Sequence, residues 1–140
     1  MDEDERARTV RSMFPPHHLA FEQIEAERAF KAARRRRRQD ALVVHDQFSL
    51  ARRTPRGQQV REIPLARILG TFDAGRARDF DGDFRPAQRT RRRWLSVWRA
   101  DTTPPITVME VCGAYAILDG HHRVSVARAR GAATITAVIS

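Results

Sequence analysis

The sequence predicts an α+β domain in the order β–loop–α–β–β–α–β, preceded by a basic helical arm. Two observations predict it. After residue 57 the chain contains short apolar segments bounded by Gly, Pro and Asp, which are typical of strands. Between them lie two segments with helical spacing, and the second stops at Gly131, a residue type favoured just after a helix. A chain of 140 residues favours one domain with an added segment.

The amino-terminal part is predicted to lie outside this domain. Residues 1–18 form a disordered lead-in, because they are charged and contain the breaker Pro15-Pro16. Residues 19–56 form a basic helical arm and linker, with a helix over 19–45 that no Gly or Pro interrupts. Five consecutive arginines would surround such a helix and leave it no buried face there. Two interpretations of this run stay open, a nucleic-acid-binding arm and a solvated arm; its members are Arg34, Arg35, Arg36, Arg37 and Arg38.

The predicted domain, residues 57–140, begins with an alternating strand and a long loop. Residues 60–68 alternate apolar and polar side chains, and Pro64 places this strand at the edge of a sheet. Residues 70–86 form a loop rich in Gly, Asp and Arg, and long loops within small domains are often functional. Residues 89–100 follow as a short basic helix. Its Trp94 and Trp98 are four residues apart, which favours a buried helix face over a platform for stacking bases.

The last four elements surround one corner. Strands are predicted over 103–111 and 114–120, joined by a turn at Cys112-Gly113-Ala114. A helix over 121–131 follows directly, and the alternating segment 133–140 forms the final strand. The second strand therefore runs straight into a helix.

The composition limits the class of protein. No apolar run approaches the ~20 residues of a membrane span, and the charged amino terminus lacks a secretory signal. The single cysteine fits a reducing compartment, so we expect a cytoplasmic protein without a membrane partner. The net charge of +9 suggests a polyanionic partner. Because 25 of the 26 basic residues are arginine, GC-rich coding alone would also explain this charge.

The corner at "DGHHR", residues 119–123, has the chemistry of a phosphate site. Asp119 or Gly120 caps the predicted helix, and the first amides of the helix have no helical partner. These amides, the helix dipole, His121, His122 and the forked cation of Arg123 all favour an anion. Three alternatives compete with a phosphate site: a zinc site, for which too few ligands stand nearby; a dyad with Ser125; and a purely structural turn. No metal site is predicted.

These residues carry a resemblance to a known family. Over about residues 58–140, the segments "VREIPLARILG" and "PPITVMEVCGAYAILDGHHRVSVARARGAATITAVIS" resemble the ParB/sulfiredoxin-like domain, also called ParB N-terminal-like or ParB-like nuclease. The resemblance implies that Gly120, His121, His122 and Arg123 bind the phosphates of a nucleoside triphosphate, CTP or ATP, with Mg²⁺. His121 stands where sulfiredoxins carry their reactive cysteine, so sulfinic acid repair is not expected. No helix-turn-helix segment is predicted, so operator-specific DNA binding is not expected either.

The loop "DAGRARDFDGDFRP" adds candidates for the same site. In the resembling fold this segment faces the nucleotide, so Arg76 or Arg78 is predicted to clamp phosphate while an Asp holds Mg²⁺. Asp79 and Asp81 are the candidate catalytic residues, since a carboxylate could orient the acceptor hydroxyl of a phosphoryl transfer. An EF-hand is excluded, because the glycine falls at the wrong loop position. The alternative is that these charges pair with one another on the surface.

Three functional hypotheses follow. The first is a nucleotide-phosphate-binding domain, with hydrolysis or phosphoryl transfer as a possible activity. The second is a DNA-associated protein, resembling partition proteins or nucleases, that binds through its arginine-rich arm. The third is an inert module that binds a protein partner. The sequence leaves open whether a reaction occurs, and which oligomeric state the chain adopts.

Overall fold

The computed structural model describes residues 17–46 and 58–140, which form a six-stranded mixed sheet and three α-helices. The predicted α+β class is confirmed. The elements in chain order are α1 (His17–Arg34), β1 (Val43–Val44), β2 (Gln59–Pro64), β3 (Ile68–Thr71), α2 (Arg91–Arg99), β4 (Ile106–Val111), β5 (Ala114–Asp119), α3 (His121–Ala129) and β6 (Thr134–Ile139).

The sheet has the strand order β1-β3-β5-β4-β6-β2. Strand β3 is parallel to both β1 and β5, and β4 is parallel to β6. The hairpin β4–β5 and the pair β2–β6 are antiparallel. The hairpin turn has positive φ at Cys112 (50°) and Gly113 (81°), as a tight two-residue turn requires. The turn predicted from Cys112 and Gly113 is confirmed.

The strand predicted over 60–68 is two separate strands. The segment β2 ends at Pro64, which lacks an amide hydrogen, and a 3₁₀ turn over Leu65–Arg67 carries the chain away. Strand β3 then lies near the opposite edge of the same sheet, between β1 and β5. The edge position predicted for the first strand is confirmed, because β2 pairs with β6 alone.

The helix predicted over 19–45 is wrong beyond Arg34, where α1 ends. Val43 and Val44 instead pair with β3 as a short parallel strand. Their approach depends on Gly70, since a Cβ there would lie 2.7 Å from the Val43 carbonyl oxygen. Leu42, just before β1, is buried in the main core. Val43 and Val44, which are β-branched, therefore form a strand. Of the five consecutive arginines, only Arg34 lies in the helix.

Helix α1 packs on the domain through one face. Ala26 and Phe30 are buried, and the Phe30 ring lies 5.4 Å from that of Trp94. Val126 of α3 belongs to the same cluster. Trp94 is fully buried, and Trp98 stacks on it and is half-buried. The predicted buried helix face is therefore confirmed for Trp94, and Trp98 lies at its edge.

The lead-in predicted over 1–18 lies outside the described residues for positions 1–16, and so does the linker segment 47–57. Within 17–46 and 58–140, no helix is long and apolar enough to cross a membrane. The main core lies between one face of the sheet, α3 and the loop after β3. Its fully buried members include Ile68, Ile106, Val108, Ile117 and Val124.

Candidate phosphate-binding cleft

The cleft lies where two neighbouring parallel strands end. Strand β3 ends at Thr71 and β5 ends at Asp119, so the segments that follow them leave the sheet at the same edge. This edge is where α/β sheets generally bind ligands. The loop after β3 and the start of α3 after β5 meet there, and α2 closes the third side.

The corner between β5 and α3 requires glycine. Gly120 has φ 114° and ψ 25°, in the left-handed region. A Cβ at this position would lie 2.4 Å from Cγ2 of Ile106, so no larger residue fits without movement. The amide of Val124 donates to the Gly120 carbonyl at 3.0 Å and closes the first turn of α3. The amides at the start of α3 have no carbonyl one turn earlier and remain available to a ligand.

The cleft has two adjoining parts. The inner chamber, about 330 Å³, is lined by the residues of the corner together with Arg76, Arg93 and Thr103. The outer groove, about 690 Å³, runs along α2. Both parts are lined by Arg76, Arg93, Ser96 and His122, so they form one continuous cleft.

Two arginines bring positive charge to the start of α3. Arg76, in the loop after β3, makes a 3.6 Å ion pair with Asp79. The side chain of Arg93, on α2, makes no hydrogen bond or ion pair with any residue in the described ranges 17–46 and 58–140. Both arginines line the inner chamber beside His122, and their positive charges lower the pKa of that ring. Sequence reasoning included Arg76 and missed Arg93.

His121 is buried and bound to a residue that the sequence did not indicate. Its Nε2 lies 2.6 Å from Oγ1 of Thr71, and the same hydroxyl oxygen accepts the Asp73 amide at 2.9 Å. Thr71 Oγ1 also lies 3.3 Å from the Ile117 carbonyl oxygen. Burial lowers the pKa of His121, against the opposing charge of Asp73. The ring is therefore neutral at pH 7, with one nitrogen held by Thr71.

His122 is neutral at pH 7 for a related reason. Burial, together with the positive charges of Arg93 and Arg76, lowers its pKa to about 4. Its ring meets Phe80 edge-on at 5.2 Å. The two histidines thus offer the cleft neutral donors or acceptors, while the arginines supply the charge.

Arg123 is largely used by the protein itself. Its Nη1 donates to the carbonyls of Pro104 and Pro105, both at 2.7 Å, and Nη2 donates to Asp119 at 3.0 Å. Nε and one hydrogen of Nη2 are left for a ligand. Arg123 lines the inner chamber, but most of its hydrogen bonds connect α3 to the segment before β4.

The other predicted loop residues lie in different places. Asp79 is at the rim of the outer groove, where it binds Arg76 and accepts from Arg89 at 2.6 Å. Arg78 is exposed and does not line the cleft. Asp81 is fully buried, and its carboxylate accepts hydrogen bonds from three backbone amides. The donors are Arg38, Asp83 and Arg85, with N···O distances of 2.9 to 3.0 Å. Asp81 therefore organises the loop.

Three arginines of the arm contact this loop or the turn after it, and none of the five lines the cleft. Arg34 donates to the side chain of Gln88, and Arg37 donates to the Arg78 carbonyl at 3.2 Å. Arg38 makes ion pairs with Asp40 at 3.2 Å and Asp83 at 3.5 Å. Arg35 and Arg36 are exposed. The run therefore serves in part to attach the arm to the domain.

The alternative chemistries weighed for the corner find no support in the described residues. Nowhere in 17–46 and 58–140 do three His, Cys, Asp or Glu side chains come together as they would around a metal ion. Ser125 is buried, donates to the Phe84 carbonyl at 2.6 Å and accepts from Trp94 Nε1 at 2.9 Å. It links α2, α3 and the loop, and its hydroxyl is not presented to the cleft.

Comparison with known proteins gives one similarity. No protein-family model matches the chain, and no curated protein matches it. Among solved structures, the chain is similar to sulfiredoxin from Arabidopsis thaliana, with 27% sequence identity and a TM-score of 0.38. The match covers 59% of this chain and 84% of that chain.

Proposed function

We propose that this chain is a ParB/sulfiredoxin-like protein that binds the phosphates of a nucleotide in the inner chamber. One observation carries the proposal: Arg76 from the loop after β3 and Arg93 from α2 converge on the start of α3. Helix amides, the helix dipole and two arginines on one concave surface are the usual means of holding phosphate.

The remaining groups suit a triphosphate better than a single carboxylate. His121 and His122 are neutral at pH 7 and buried at the chamber wall, so a ring N–H that the protein does not use can donate to a phosphate oxygen. The chamber of about 330 Å³ is at the lower end of the usual range for ligand sites, which matches a short chain of phosphates better than one carboxylate group.

Mg²⁺ brought by the nucleotide would meet a carboxylate here. Asp119 lines the chamber with its side chain 78% exposed, and Asp79 stands at the rim. Mg²⁺ typically binds one or two carboxylates together with substrate phosphates, which fits this donor set. Of the two candidate catalytic residues, Asp79 borders the cleft and Asp81 does not. Hydrolysis of CTP or ATP, or phosphoryl transfer from either nucleotide, would therefore involve Asp79.

Thermal melting with ATP, CTP, GTP and UTP, each with and without Mg²⁺, tests the proposal. A ligand at a hundred times its Kd stabilises the fold by about 2.7 kcal/mol, a shift of several degrees. We expect one nucleotide to give this shift and Arg93→Gln to abolish most of it. Arg78→Gln is the matched control for Arg76→Gln, because it removes the same charge from the same loop outside the cleft.

Two results would contradict nucleotide binding in the chamber. One is a melting temperature that does not change with any of the nucleotides. The other is an equal loss of the shift in Arg76→Gln and Arg78→Gln, which would mean that overall charge and not the chamber holds the ligand. Nucleic-acid binding through the arm has weaker support, because Arg34, Arg37 and Arg38 already contact the domain.

A further inference from the structure

The outer groove is lined by one face of α2 and the turn before it. The lining residues on this face follow helical spacing: Arg89, Arg92, Arg93, Ser96 and Arg99. Intervals of three and four residues place side chains on one side of a helix, so the four arginines form a row. Nucleotide binding in the inner chamber does not use Arg89, Arg92 or Arg99, since these residues line only the outer groove.

The row carries positive charge that the described residues leave largely uncompensated. Asp79 is the acidic residue among those lining the groove, and Arg89 and Arg76 share it. Arg92 and Arg93 make no ion pair with any residue of 17–46 or 58–140. Four arginines that share a single carboxylate in a concave surface attract a polyanion.

The opposite side of α2 is built differently. Arg91 pairs with Glu27 of α1, and it does not line the cleft. Helix α2 therefore separates its arginines into one that fastens α1 and a row that faces open space. This division of roles is not explained by arginine-rich coding alone, because such coding would not sort the arginines by partner.

The dimensions and side chains of the groove indicate which polyanion fits. Nine helical residues rise about 14 Å, so the row is long enough to run beside a short stretch of one phosphate backbone. Trp98 stacks on Trp94 and is covered by Arg130 at 3.9 Å, so it offers no ready platform to a base. A single row of cations without a stacking platform fits one phosphate backbone and reads no bases.

We propose that the outer groove binds the sugar–phosphate backbone of a single-stranded nucleic acid without base specificity. The row Arg89, Arg92, Arg93 and Arg99 contacts successive phosphates, and the strand approaches the start of α3 through Arg93 and Arg76. Binding is dominated by released counterions and falls steeply with salt. This activity goes beyond nucleotide binding, because it rests on arginines that the inner chamber does not include.

Fluorescence anisotropy of labelled dT15 with the full chain tests it, over 50 to 200 mM salt. We expect Arg92→Gln and Arg99→Gln each to weaken binding about 3- to 10-fold at 50 mM salt. Each should also lower the magnitude of the log–log salt slope by about 0.7, the value for one lost phosphate contact on a single strand. Arg91→Gln is the matched control and should change affinity less than twofold, since it removes the same charge from the same helix on the side facing Glu27.

Three outcomes would overturn the proposal: no binding of dT15 at 50 mM salt, equal effects of Arg91→Gln and Arg92→Gln, or tighter binding of a 15-base-pair duplex than of the strand. A more than tenfold preference between dT15 and dA15 would contradict recognition of the backbone alone. The melting shift with nucleotides separates the two proposals, because Arg92→Gln and Arg99→Gln should leave it unchanged while they weaken dT15 binding.

Discussion

At the scale of single residues, the corner of the cleft depends on the absence of one methyl group. Gly120→Ala would place a Cβ 2.4 Å from Ile106 Cγ2 and force an alanine to φ 114°. Overpacking and left-handed strain each cost about 1–3 kcal/mol, so we expect a loss of roughly 3 kcal/mol in the free energy of unfolding. Urea denaturation measures it.

Gly113→Ala is the control for this substitution. Gly113 also has positive φ, 81°, but nothing lies within 4 Å of a Cβ there. Gly113→Ala should lower the free energy of unfolding by about 1 kcal/mol, because it introduces backbone strain alone. Equal losses in the two variants would show that the contact with Ile106 does not matter.

His122 should make the fold sensitive to acid. Its pKa falls from 6.5 to about 4 on folding, so the unfolded chain binds the proton more tightly than the folded one. The stability contributed by the neutral ring is fully present above pH 6.5, is lost as the pH falls from 6.5 towards 4, and changes no further below that. The difference corresponds to roughly 3 kcal/mol.

Urea denaturation between pH 7.5 and pH 4.5 checks this expectation. His122→Gln keeps a polar side chain of similar reach that does not titrate, so its loss of stability over this range should be smaller than that of the unaltered chain. Parallel curves for the two proteins would mean that His122 does not contribute to the acid sensitivity.

At the scale of elements, helix α1 contributes through one buried face. Phe30 is 2% exposed and lies against Trp94, whereas Phe21 on the same helix is 61% exposed. We expect Phe30→Ala to lower the free energy of unfolding by about 3 kcal/mol or more, and Phe21→Ala to change it by less than about 0.5 kcal/mol. Similar losses in both variants would contradict this packing of α1.

The hairpin β4–β5 and helix α3 could be predicted from the sequence, and the two short strands β1 and β3 could not. Gly113, Gly120 and Gly131 mark the ends of β4, β5 and α3, and local chemistry suffices there. Strands β1 and β3 are two and four residues long, and their pairing is a contact between distant parts of the chain. No local pattern in either segment encodes that contact, although the Val43-Val44 doublet is a weak signal against a helix.

The candidate site divides in the same way. The corner was predicted because strand, glycine and helix are consecutive in the sequence. Arg93 could have been found from the spacing of arginines along α2, which places it on the face with Arg89 and Arg99. Thr71 could not, because a threonine at the end of a strand has no distinctive pattern, and its contact with His121 spans 50 positions.

At the scale of the whole molecule, the sheet topology assembles the cleft. Because β3 and β5 are adjacent and parallel, the loop carrying Arg76 and the start of α3 emerge side by side. Helix α2 is held over them by α1 through Phe30 and by α3 through the link from Trp94 to Ser125. The arm thus supports the element that carries Arg93, and the cleft depends on both parts of the chain.

This dependence leads to an expectation for a shortened chain. Residues 57–140 alone would lack Phe30 and Ala26, which cover Trp94, and Leu42, which belongs to the main core. We expect such a chain to melt well below the full protein, or without a cooperative transition, with tryptophan fluorescence shifted to longer wavelength as Trp94 becomes exposed. A peptide of residues 17–46 added in trans should partly restore both properties. A cooperative transition of residues 57–140 at the temperature of the full chain would instead show that the sheet and its two later helices are a self-sufficient domain, to which α1 and β1 are only attached.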